Sequence, residues 1–83
     1  MLKDKAIIVT GGASGIGRAA ADLFARDGAL VMIADRSADA GAEAAEAICA
    51  AGGEAAFVAC DVADDESVAA MVAATVARFG RLD

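Results

Sequence analysis

The stretch TGGASGIG at Thr10–Gly17 decides the fold, because half of its residues are glycine and it separates two segments of different character. The short apolar run Ala6–Thr10 leads into it and is typical of a buried strand, whereas apolar residues recur at helical spacing after it. A glycine-rich turn between a strand and a helix lets the backbone approach a phosphate group at the helix N-terminus. The stretch therefore predicts a nucleotide-binding turn.

Two further apolar runs, Leu30–Ala34 and Ala55–Cys60, are short and bulky or β-branched at their centres, and they do not alternate with polar residues. Such runs are typical of strands that helices cover on both faces, as in a parallel sheet. Helical patterns separate them, one opening at Ser37 and another running from near Asp64 to Gly80. The predicted fold is an α/β, Rossmann-type β-α-β-α-β-α half of a doubly wound parallel sheet, truncated before the fourth strand.

Helical spacing also predicts the buried faces. The predicted buried positions are Ile16, Ala19, Ala20, Leu23 and Phe24 in the first helix, Gly41, Ala45, Ile48 and Cys49 in the second, and Val68, Met71, Val72, Thr75, Val76 and Phe79 in the third. The final segment, Arg81–Asp83, is typical of the approach to a fourth strand. In a strand order of 3-2-1-4 the first strand would then be an open apolar edge, which predicts self-association of this chain.

Two aspartates, Asp35 and Asp61, follow the second and third predicted strands. Because the strands are parallel, both carboxylates are expected at the same edge of the sheet as the glycine-rich turn. Asp35 lies 18 residues after Gly17, close to the spacing of roughly 20 at which an acidic residue reaches the hydroxyls of a bound ribose. Either carboxylate alone would also fit a solvated loop residue or a helix cap, but three features at three successive strand ends favour a ligand site.

Three classes of ligand site compete for this turn. A P-loop is excluded, because Arg18 and Ala19 stand where the lysine and the hydroxyl residue that bind phosphates and Mg²⁺ would follow Gly17. A Rossmann-like methyltransferase site for S-adenosylmethionine also places acids after the second and third strands, and it remains an alternative. A dinucleotide site fits best, since the glycines are spaced to cradle a pyrophosphate.

The residues that indicate a family are spread along the whole chain. The stretch Thr10–Gly17 has the pattern T-G-x-x-x-G-x-G. Further matching segments are Asp35-Arg36, Asp61-Val62 and Phe79–Asp83. In these segments the sequence resembles the short-chain dehydrogenase/reductase family, of which it would be the N-terminal cofactor-binding portion. The resemblance implies a single domain, an incomplete dinucleotide-binding (Rossmann) unit over residues 1–83.

The resemblance also implies roles for the residues of the glycine-rich turn. The implied cofactor-binding residues there are Thr10, Gly11, Ser14, Gly15, Ile16 and Gly17. The glycines would shape the loop, and Ser14 with the backbone of Ile16 would contact the ribose and phosphates of the cofactor.

The resemblance also implies roles at the other two strand ends. Asp35 would accept hydrogen bonds from both hydroxyls of the adenosine ribose. Asp61 would bind the adenine amino group, and the Val62 N–H would donate to a ring nitrogen of the adenine. The charge of Asp35 would repel a 2′-phosphate, so NAD(H) is preferred over NADP(H). Arg36 would favour NADP(H) instead, because a basic residue just after the second strand holds that phosphate in NADP-dependent relatives. Since Asp35 is present and Gly11–Gly17 contains no Lys or Arg, Arg36 is interpreted as a surface or adenine-stacking residue.

The residues that run the family's chemistry are absent from the sequence. The family transfers hydride between a nicotinamide cofactor and an alcohol or carbonyl substrate with a Tyr-x-x-x-Lys pair, a Ser and an Asn, whereas these 83 residues contain no Tyr. No catalytic residue is therefore named. The favoured interpretation is the N-terminal NAD(H)-binding part of a short-chain dehydrogenase/reductase. The alternative is a stand-alone, non-catalytic dinucleotide-binding module.

Composition and charge limit the partners. A net charge of −6 argues against nucleic acid and an anionic membrane surface, and the longest nearly apolar stretch, Val68–Ala77, is too short to span a bilayer. No signal-peptide pattern follows Met1, and Cys49 and Cys60 form no metal motif, so reduced thiols and a cytoplasmic location are expected. For the complete protein we expect a small-molecule substrate and a homo-oligomer.

Overall fold

Strands and helices alternate along the chain in the computed structural model, which describes residues 2–83. The elements are β1 (Ala6–Thr10), α1 (Gly15–Arg26), β2 (Leu30–Asp35), α2 (Ala38–Ala50), β3 (Glu54–Ala59) and α3 (Asp65–Phe79). The predicted β-α-β-α-β-α order is confirmed, and the predicted strands differ from the observed ones by at most one residue at either end.

The three strands form one parallel sheet with β2 in the centre. The register aligns Ala6, Leu30 and Glu54 at the amino-terminal ends, so the carboxyl ends also come together at one edge. Val31 and Ile33 of β2 are fully buried, as expected for a central strand that helices cover on both faces. The predicted Rossmann-type parallel sheet is confirmed.

Two hydrophobic clusters hold the helices against opposite faces of the sheet. The larger cluster, around Val31 and Ile33, includes residues of α1 and α2. The smaller cluster, Ala34, Cys60 and Met71, joins α3 to the other face. Successive side chains of a strand point to opposite faces, which explains why neighbours along β2 belong to different clusters. Helices therefore flank the sheet and leave the carboxyl ends of its strands for loops.

The buried face predicted for α1 is wrong at three positions. Ile16 and Leu23 are 90% and 63% exposed, and Ala19 is exposed as well. Ala21 is fully buried instead, and Phe24 packs against the larger cluster as predicted. Helix α1 lies at the β1 edge, beyond which residues 2–83 contain no further strand, so one side of the helix has nothing to pack against.

The faces predicted for α2 and α3 are confirmed in part. The buried residues are Gly41, Ala44, Ala45 and Ile48 in α2 and Met71 and Thr75 in α3. Cys49 is wrong, because it is exposed at the rim of α2, where its thiol donates to the Ala55 carbonyl at 3.3 Å. Val72 and Val76 are 38% and 44% exposed, since the cluster beneath α3 is too small to cover the whole predicted stripe.

After α3 the chain returns to the amino-terminal end of β1. The Asp83 N–H donates to the Ala6 carbonyl, and the Ala6 N–H donates to Asp83 Oδ2, both at 2.9 Å. The Arg81 guanidinium donates to both carboxylate oxygens of Asp83 at 2.6 Å. The hydrogen bond from Arg81, followed by that from Ala6, lowers the pKa of Asp83, and the Asp83 carboxylate raises the pKa of Arg81. Asp83 therefore lies beside β1 on the side that faces away from β2.

Candidate dinucleotide-binding site

The glycine-rich stretch forms a short loop from β1 into α1. Gly11 and Gly15 have φ of 66° and 58°, in the left-handed region that costs a residue with a Cβ about 1–2 kcal/mol. The Gly11 N–H donates to the Ala34 carbonyl at 2.8 Å, which ties the start of the loop to β2. Apart from chain neighbours, no atom of the described residues lies within 4 Å of a Cβ built on either glycine. The backbone of the loop therefore faces open space at these two positions.

Gly17 is glycine for a different reason. A Cβ at this position would overlap the carbonyl oxygen of Gly11 and would stand 3.2 Å from the Gly12 nitrogen. The first turn of α1 thus packs directly on the backbone of the loop. The loop and the helix N-terminus form one compact unit.

The N-terminus of α1 carries no anion of its own. Ser14 is the N-cap residue, yet its hydroxyl makes no capping hydrogen bond, and the first turn has no acidic side chain. By contrast, α2 has Asp39 in its first turn, and α3 has Asp65 and Glu66. The first N–H groups of a helix lack intrahelical acceptors and lie at the positive end of its dipole. Helix α1 therefore offers N–H donors to an external anion. Ser14 and Ile16 are both exposed at this terminus.

Asp35 ends β2 and is half-buried beside the glycine-rich loop. Its Oδ2 accepts a hydrogen bond from the Ala13 N–H at 3.2 Å, and its Oδ1 accepts one from the Ser37 N–H at 2.9 Å. The carboxylate therefore lies between the loop that precedes α1 and the N-cap of α2. This is the juxtaposition that the parallel strand order predicts.

Asp61 lies in the loop after β3. Its N–H donates to Ser67 Oγ at 2.9 Å, and its Oδ1 accepts from the Ala63 N–H at 3.0 Å. Both contacts are within the β3–α3 connection and its helix, so Asp61 stabilises its own loop. Val62 beside it is 62% exposed.

A cleft of about 300 Å³ opens between the three strand ends. Its lining residues are Thr10, Gly11, Ala34, Asp35, Arg36, Cys60 and Val62. This volume lies at the lower end of the range of about 300–1,000 Å³ for small-molecule sites. Asp61 lines a neighbouring hollow of about 250 Å³ together with Arg36 and Ser67. Ser14, Gly15, Ile16 and Gly17 lie outside the cleft, along the loop and the first turn of α1. The cleft therefore unites residues from all three strand ends, and the phosphate-binding candidates extend from it.

Cys60 is a residue of this region that sequence reasoning missed. The sequence predicts only a reduced thiol there, whereas the buried Cys60 side chain lines both the cleft and the neighbouring hollow. Its place directly after β3, at the predicted ligand edge of the sheet, is the sequence feature that could have identified it. A thiol at the floor of a cleft adds an apolar contact surface.

Arg36 lines both hollows and is exposed. Among residues 2–83 it has no ion-pair partner, whereas Arg18 lies 3.8 Å from Glu43 across α1 and α2. A separate groove of about 200 Å³ near Ala25 and Ile48 contains none of the predicted site residues. The cleft, the neighbouring hollow and the Arg36 charge thus lie at the carboxyl ends of the strands, where the sequence predicts a ligand site.

The described part of the chain has neither a metal-binding cluster nor a membrane-spanning helix. No group of three or more Cys, Asp or Glu among residues 2–83 is arranged to hold a metal ion. None of the three helices has the combination of length and hydropathy that a membrane crossing requires.

The sequence and the fold are similar to those of known proteins. A family model, the short chain dehydrogenases, matches residues 5–83. The chain is 53% identical over 83 residues to the 2,5-dichloro-2,5-cyclohexadiene-1,4-diol dehydrogenase of Sphingobium indicum, covering 99% of this chain and 32% of that protein. It is 46% identical over 82 residues to Tropinone reductase-like 1 of Erythroxylum coca, covering 99% and 29%. The crystal structure of a hydroxysteroid dehydrogenase from Escherichia coli superposes with a TM-score of 0.96 at 33% identity, covering 99% of this chain and 34% of that one.

The fold and the loop first define a class, a Rossmann-type parallel α/β unit with a glycine-rich strand-to-helix turn. Within that class the chain belongs to the short-chain dehydrogenase family. It spans about a third of the length of the relatives that it matches.

Proposed function

We propose that this chain holds the adenosine and pyrophosphate parts of a nicotinamide dinucleotide, with NAD(H) preferred over NADP(H). The protein would be an oxidoreductase that transfers hydride between that cofactor and an alcohol or carbonyl substrate. The observation that carries the proposal is the Asp35 carboxylate, which lies against a glycine-rich loop whose backbone faces open space. Membership of a family that uses nicotinamide cofactors supports it, as do the relatives named as dehydrogenases and reductases.

The adenosine would occupy the cleft between the strand ends. Asp35 would accept hydrogen bonds from the two ribose hydroxyls, since each of its oxygens makes a single hydrogen bond in the structure and a carboxylate oxygen has two lone pairs. Asp61 would accept a hydrogen bond from the adenine amino group with the oxygen that Ala63 leaves free, and the N–H of Val62, an exposed residue, would donate to a ring nitrogen. Apolar atoms of Cys60 and Val62 would contact the base.

The pyrophosphate would lie at the N-terminus of α1. The absence of an acidic residue from its first turn favours an anion there, and the lack of Cβ atoms at Gly11 and Gly15 allows close approach. The exposed Ser14 hydroxyl, which caps nothing in the structure, would be free to donate. These groups fit a pyrophosphate better than a neutral ligand.

The preference for NAD(H) depends on charge at the end of β2. A 2′-phosphate on the ribose would stand next to the Asp35 carboxylate, and two like charges within a few ångströms repel. Arg36 is exposed and has no ion-pair partner among residues 2–83, so it can approach the same position. We propose that Asp35 dominates, because its carboxylate is fixed by two hydrogen bonds whereas the Arg36 side chain lies at the surface.

The chemical step requires groups that this chain does not supply. Bound NAD(H) would provide the hydride donor or acceptor. The chain contains no Tyr and no His, and Lys3 and Lys5 precede β1, at the opposite edge of the sheet from the loop. We therefore propose that these residues bind and orient the cofactor, and we assign them no catalytic role.

Two alternatives from the sequence have different standing. The methyltransferase interpretation is set aside, because the family model that matches residues 5–83 is that of dehydrogenases. A non-catalytic, stand-alone dinucleotide-binding module would have the same site as an enzyme part. The intact mass of the protein expressed from its native gene separates the two, since a mass near 8.1 kDa would favour the module.

We further propose a cytoplasmic location, a small-molecule substrate and a homo-oligomer for the complete protein. Both cysteines are free thiols, which fits a reducing compartment. For the 83-residue chain itself, β1 is an edge strand, and Ile16 and Leu23 are exposed on the adjacent helix. Unpaired strand edges beside apolar surface promote association. Sedimentation equilibrium should therefore show a mass that rises with concentration; a monomer at every concentration with one cooperative thermal transition would contradict this.

The cofactor proposal is tested by titration calorimetry of NAD⁺ and NADP⁺ against the wild type and Asp35→Ala. We expect the wild type to bind NAD⁺ more tightly than NADP⁺. In Asp35→Ala the ratio of the two dissociation constants should fall by about tenfold, the effect of removing one charged contact. Asp39→Ala is the matched control, because it removes an acidic residue from the first turn of α2, and it should leave the ratio unchanged. An unaltered ratio in Asp35→Ala would refute the ribose role.

A further inference from the structure

The Asp35 carboxylate connects three segments of the chain. Its Oδ2 accepts from the Ala13 N–H, 22 residues away in the sequence, and its Oδ1 accepts from the Ser37 N–H. Ala13 is a buried residue of the glycine-rich loop, 4% exposed, and Ser37 is the N-cap of α2. One side chain at the end of β2 thus contacts the loop before α1 and the start of the next helix.

Few other hydrogen bonds hold the loop to the sheet. Among residues 2–83, residues 11–14 are joined to β2 by two, from the Gly11 N–H to the Ala34 carbonyl and from the Ala13 N–H to Asp35. The Ser14 side chain contributes no capping bond. Gly12 and Ala13 of the loop are also buried, so packing holds the loop together with these two contacts, of which the hydrogen bond to Asp35 is the one made by a side chain.

Asp61 provides the internal contrast. It lies two residues beyond the end of β3 and is also a proposed ligand of the adenosine, but among the described residues its carboxylate accepts only from the Ala63 N–H two residues later. Nothing in its hydrogen bonding reaches the glycine-rich loop. Both carboxylates carry the same charge at the same edge of the sheet, but Asp35 accepts a hydrogen bond from the glycine-rich loop and Asp61 does not.

We propose that Asp35 is a positioning residue for the glycine-rich loop as well as a ligand of the cofactor ribose. The ribose part rests on the proposed function; the positioning part does not. Each carboxylate oxygen uses one lone pair on a loop or helix amide and keeps one for a ribose hydroxyl. The group that recognises the ribose thereby also sets the amides that face the phosphates, so its removal weakens both parts of the site.

This coupling predicts a dependence on the phosphates of the ligand. If Asp35 only bound the ribose, then Asp35→Ala would reduce the affinity for adenosine and for ADP by the same factor. If it also positions the loop, then ADP, whose phosphates would contact that loop, loses more. Asp61→Asn corrects for charge, because it removes one negative charge from the same edge of the sheet without touching the loop.

The experiment has two parts. Amide hydrogen exchange of the ligand-free protein, measured by NMR, should show the Ala13 N–H exchanging about tenfold faster in Asp35→Ala than in the wild type, the effect of losing one charge-assisted bond. Asp35→Asn keeps one carbonyl acceptor and should give a smaller increase at one of Ala13 and Ser37. In Asp61→Asn the Ala13 exchange should be unchanged. Titration with adenosine and ADP should then show that Asp35→Ala loses about tenfold more affinity for ADP than for adenosine. The change that Asp61→Asn causes in the ratio of the two affinities is subtracted first, as the effect of losing one negative charge.

Each outcome has a distinct meaning. Unchanged Ala13 exchange in both Asp35 variants overturns the positioning role, whatever the affinities. Faster exchange with equal losses for adenosine and ADP overturns the coupling to the phosphates. Faster exchange in a protein whose wild type binds neither adenosine nor ADP supports the positioning role and contradicts the proposed function. Asp35→Asn keeps the volume of the side chain, so it carries the exchange test if Asp35→Ala fails to fold.

Discussion

The loops that leave β1 and β3 lie at the same edge of the sheet, yet they are held in opposite ways. The β3–α3 loop is stabilised by its own side chains, since Asp61, Asp64 and Ser67 all bond to backbone N–H groups of that loop and helix. The β1–α1 loop supplies no such side chain and is held from β2, by the Ala34 carbonyl and Asp35. A loop that caps its own helix uses up the donors that a ligand would need. A loop held from outside keeps them free.

The electrostatics of the two helices follow the same division. Helix α3 begins with the Asp64 cap and has Asp65 and Glu66 in its first turn, so its dipole already has negative partners. Helix α1 has none of these. In our proposal, therefore, the start of α1 binds an anion, whereas the start of α3 is stabilised by its own side chains. Two predictions test this division, and a third concerns Asp83, which lies away from both loops.

The largest effect is expected from Gly17→Ala. The new Cβ would overlap the Gly11 carbonyl oxygen, which is backbone and cannot rotate away, so the loop and α1 must separate. We expect a loss of about 3 kcal/mol in the free energy of unfolding, the upper end for overpacking, and loss of ADP binding. Urea unfolding and calorimetry measure the two effects.

Gly80→Ala is the matched control for that variant. Gly80 is the C-cap of α3 with φ of 79°, and a Cβ there meets no atom within 4 Å. The strain of the left-handed conformation should cost about 1–2 kcal/mol without affecting ADP binding. Equal binding losses in Gly17→Ala and Gly80→Ala would show that destabilisation, and not the shape of the loop, explains the effect.

Smaller effects are expected at the two N-cap residues, where one substitution should change stability and the other ADP affinity. Asp64 Oδ1 accepts from the Glu66 N–H at 3.0 Å, so Asp64→Ala should lower stability by about 1 kcal/mol and leave ADP affinity unchanged. Ser14 makes no capping bond, so Ser14→Ala should leave stability nearly unchanged and weaken ADP binding severalfold, by one lost hydrogen bond. If Ser14→Ala destabilised the protein as much as Asp64→Ala, the contrast between the two loops would be wrong.

The smallest effect concerns Asp83, which lies beside the amino-terminal end of β1, away from both loops. The hydrogen bonds from Arg81 and Ala6 hold the pKa of Asp83 below its ordinary value of 3.8. A carboxyl group with a lowered pKa in the folded state stabilises above its ordinary pKa, and this stabilisation is lost as the pH falls through that value and below. The urea midpoint should therefore decrease at acidic pH less steeply in Asp83→Asn than in the wild type. Identical pH profiles would show that Asp83 contributes no pH-dependent stability, and ADP affinity at neutral pH should be the same in both proteins.

Local patterns predicted much of this molecule. The apolar runs, the glycine-rich stretch and the caps at Asp64 and Gly80 are encoded within a few residues of each element, and the element order followed from them. The parallel order then placed Asp35 beside the loop without any knowledge of distances.

The features that sequence reasoning missed depend on neighbours distant in the chain. Leu23 has helical spacing but lies on a side of α1 that no described element covers, and Cys49 is at the rim of α2 and not on its buried face. The bond between Asp35 and Ala13 joins residues that no periodicity relates. Periodicity predicts that a face is apolar; only the assembled sheet decides what covers it.

The most direct test of the central claim is the chemical-shift map of the ¹⁵N-labelled protein titrated with NAD⁺ and, separately, with NADP⁺. We predict that NAD⁺ shifts the amides of Gly11–Gly17 together with those of Asp61 and Val62, and that it saturates at a lower concentration than NADP⁺. Shifts confined to the groove near Ala25 and Ile48, or tighter binding of NADP⁺, would contradict the assignment of the loop and Asp35 as an NAD(H) site.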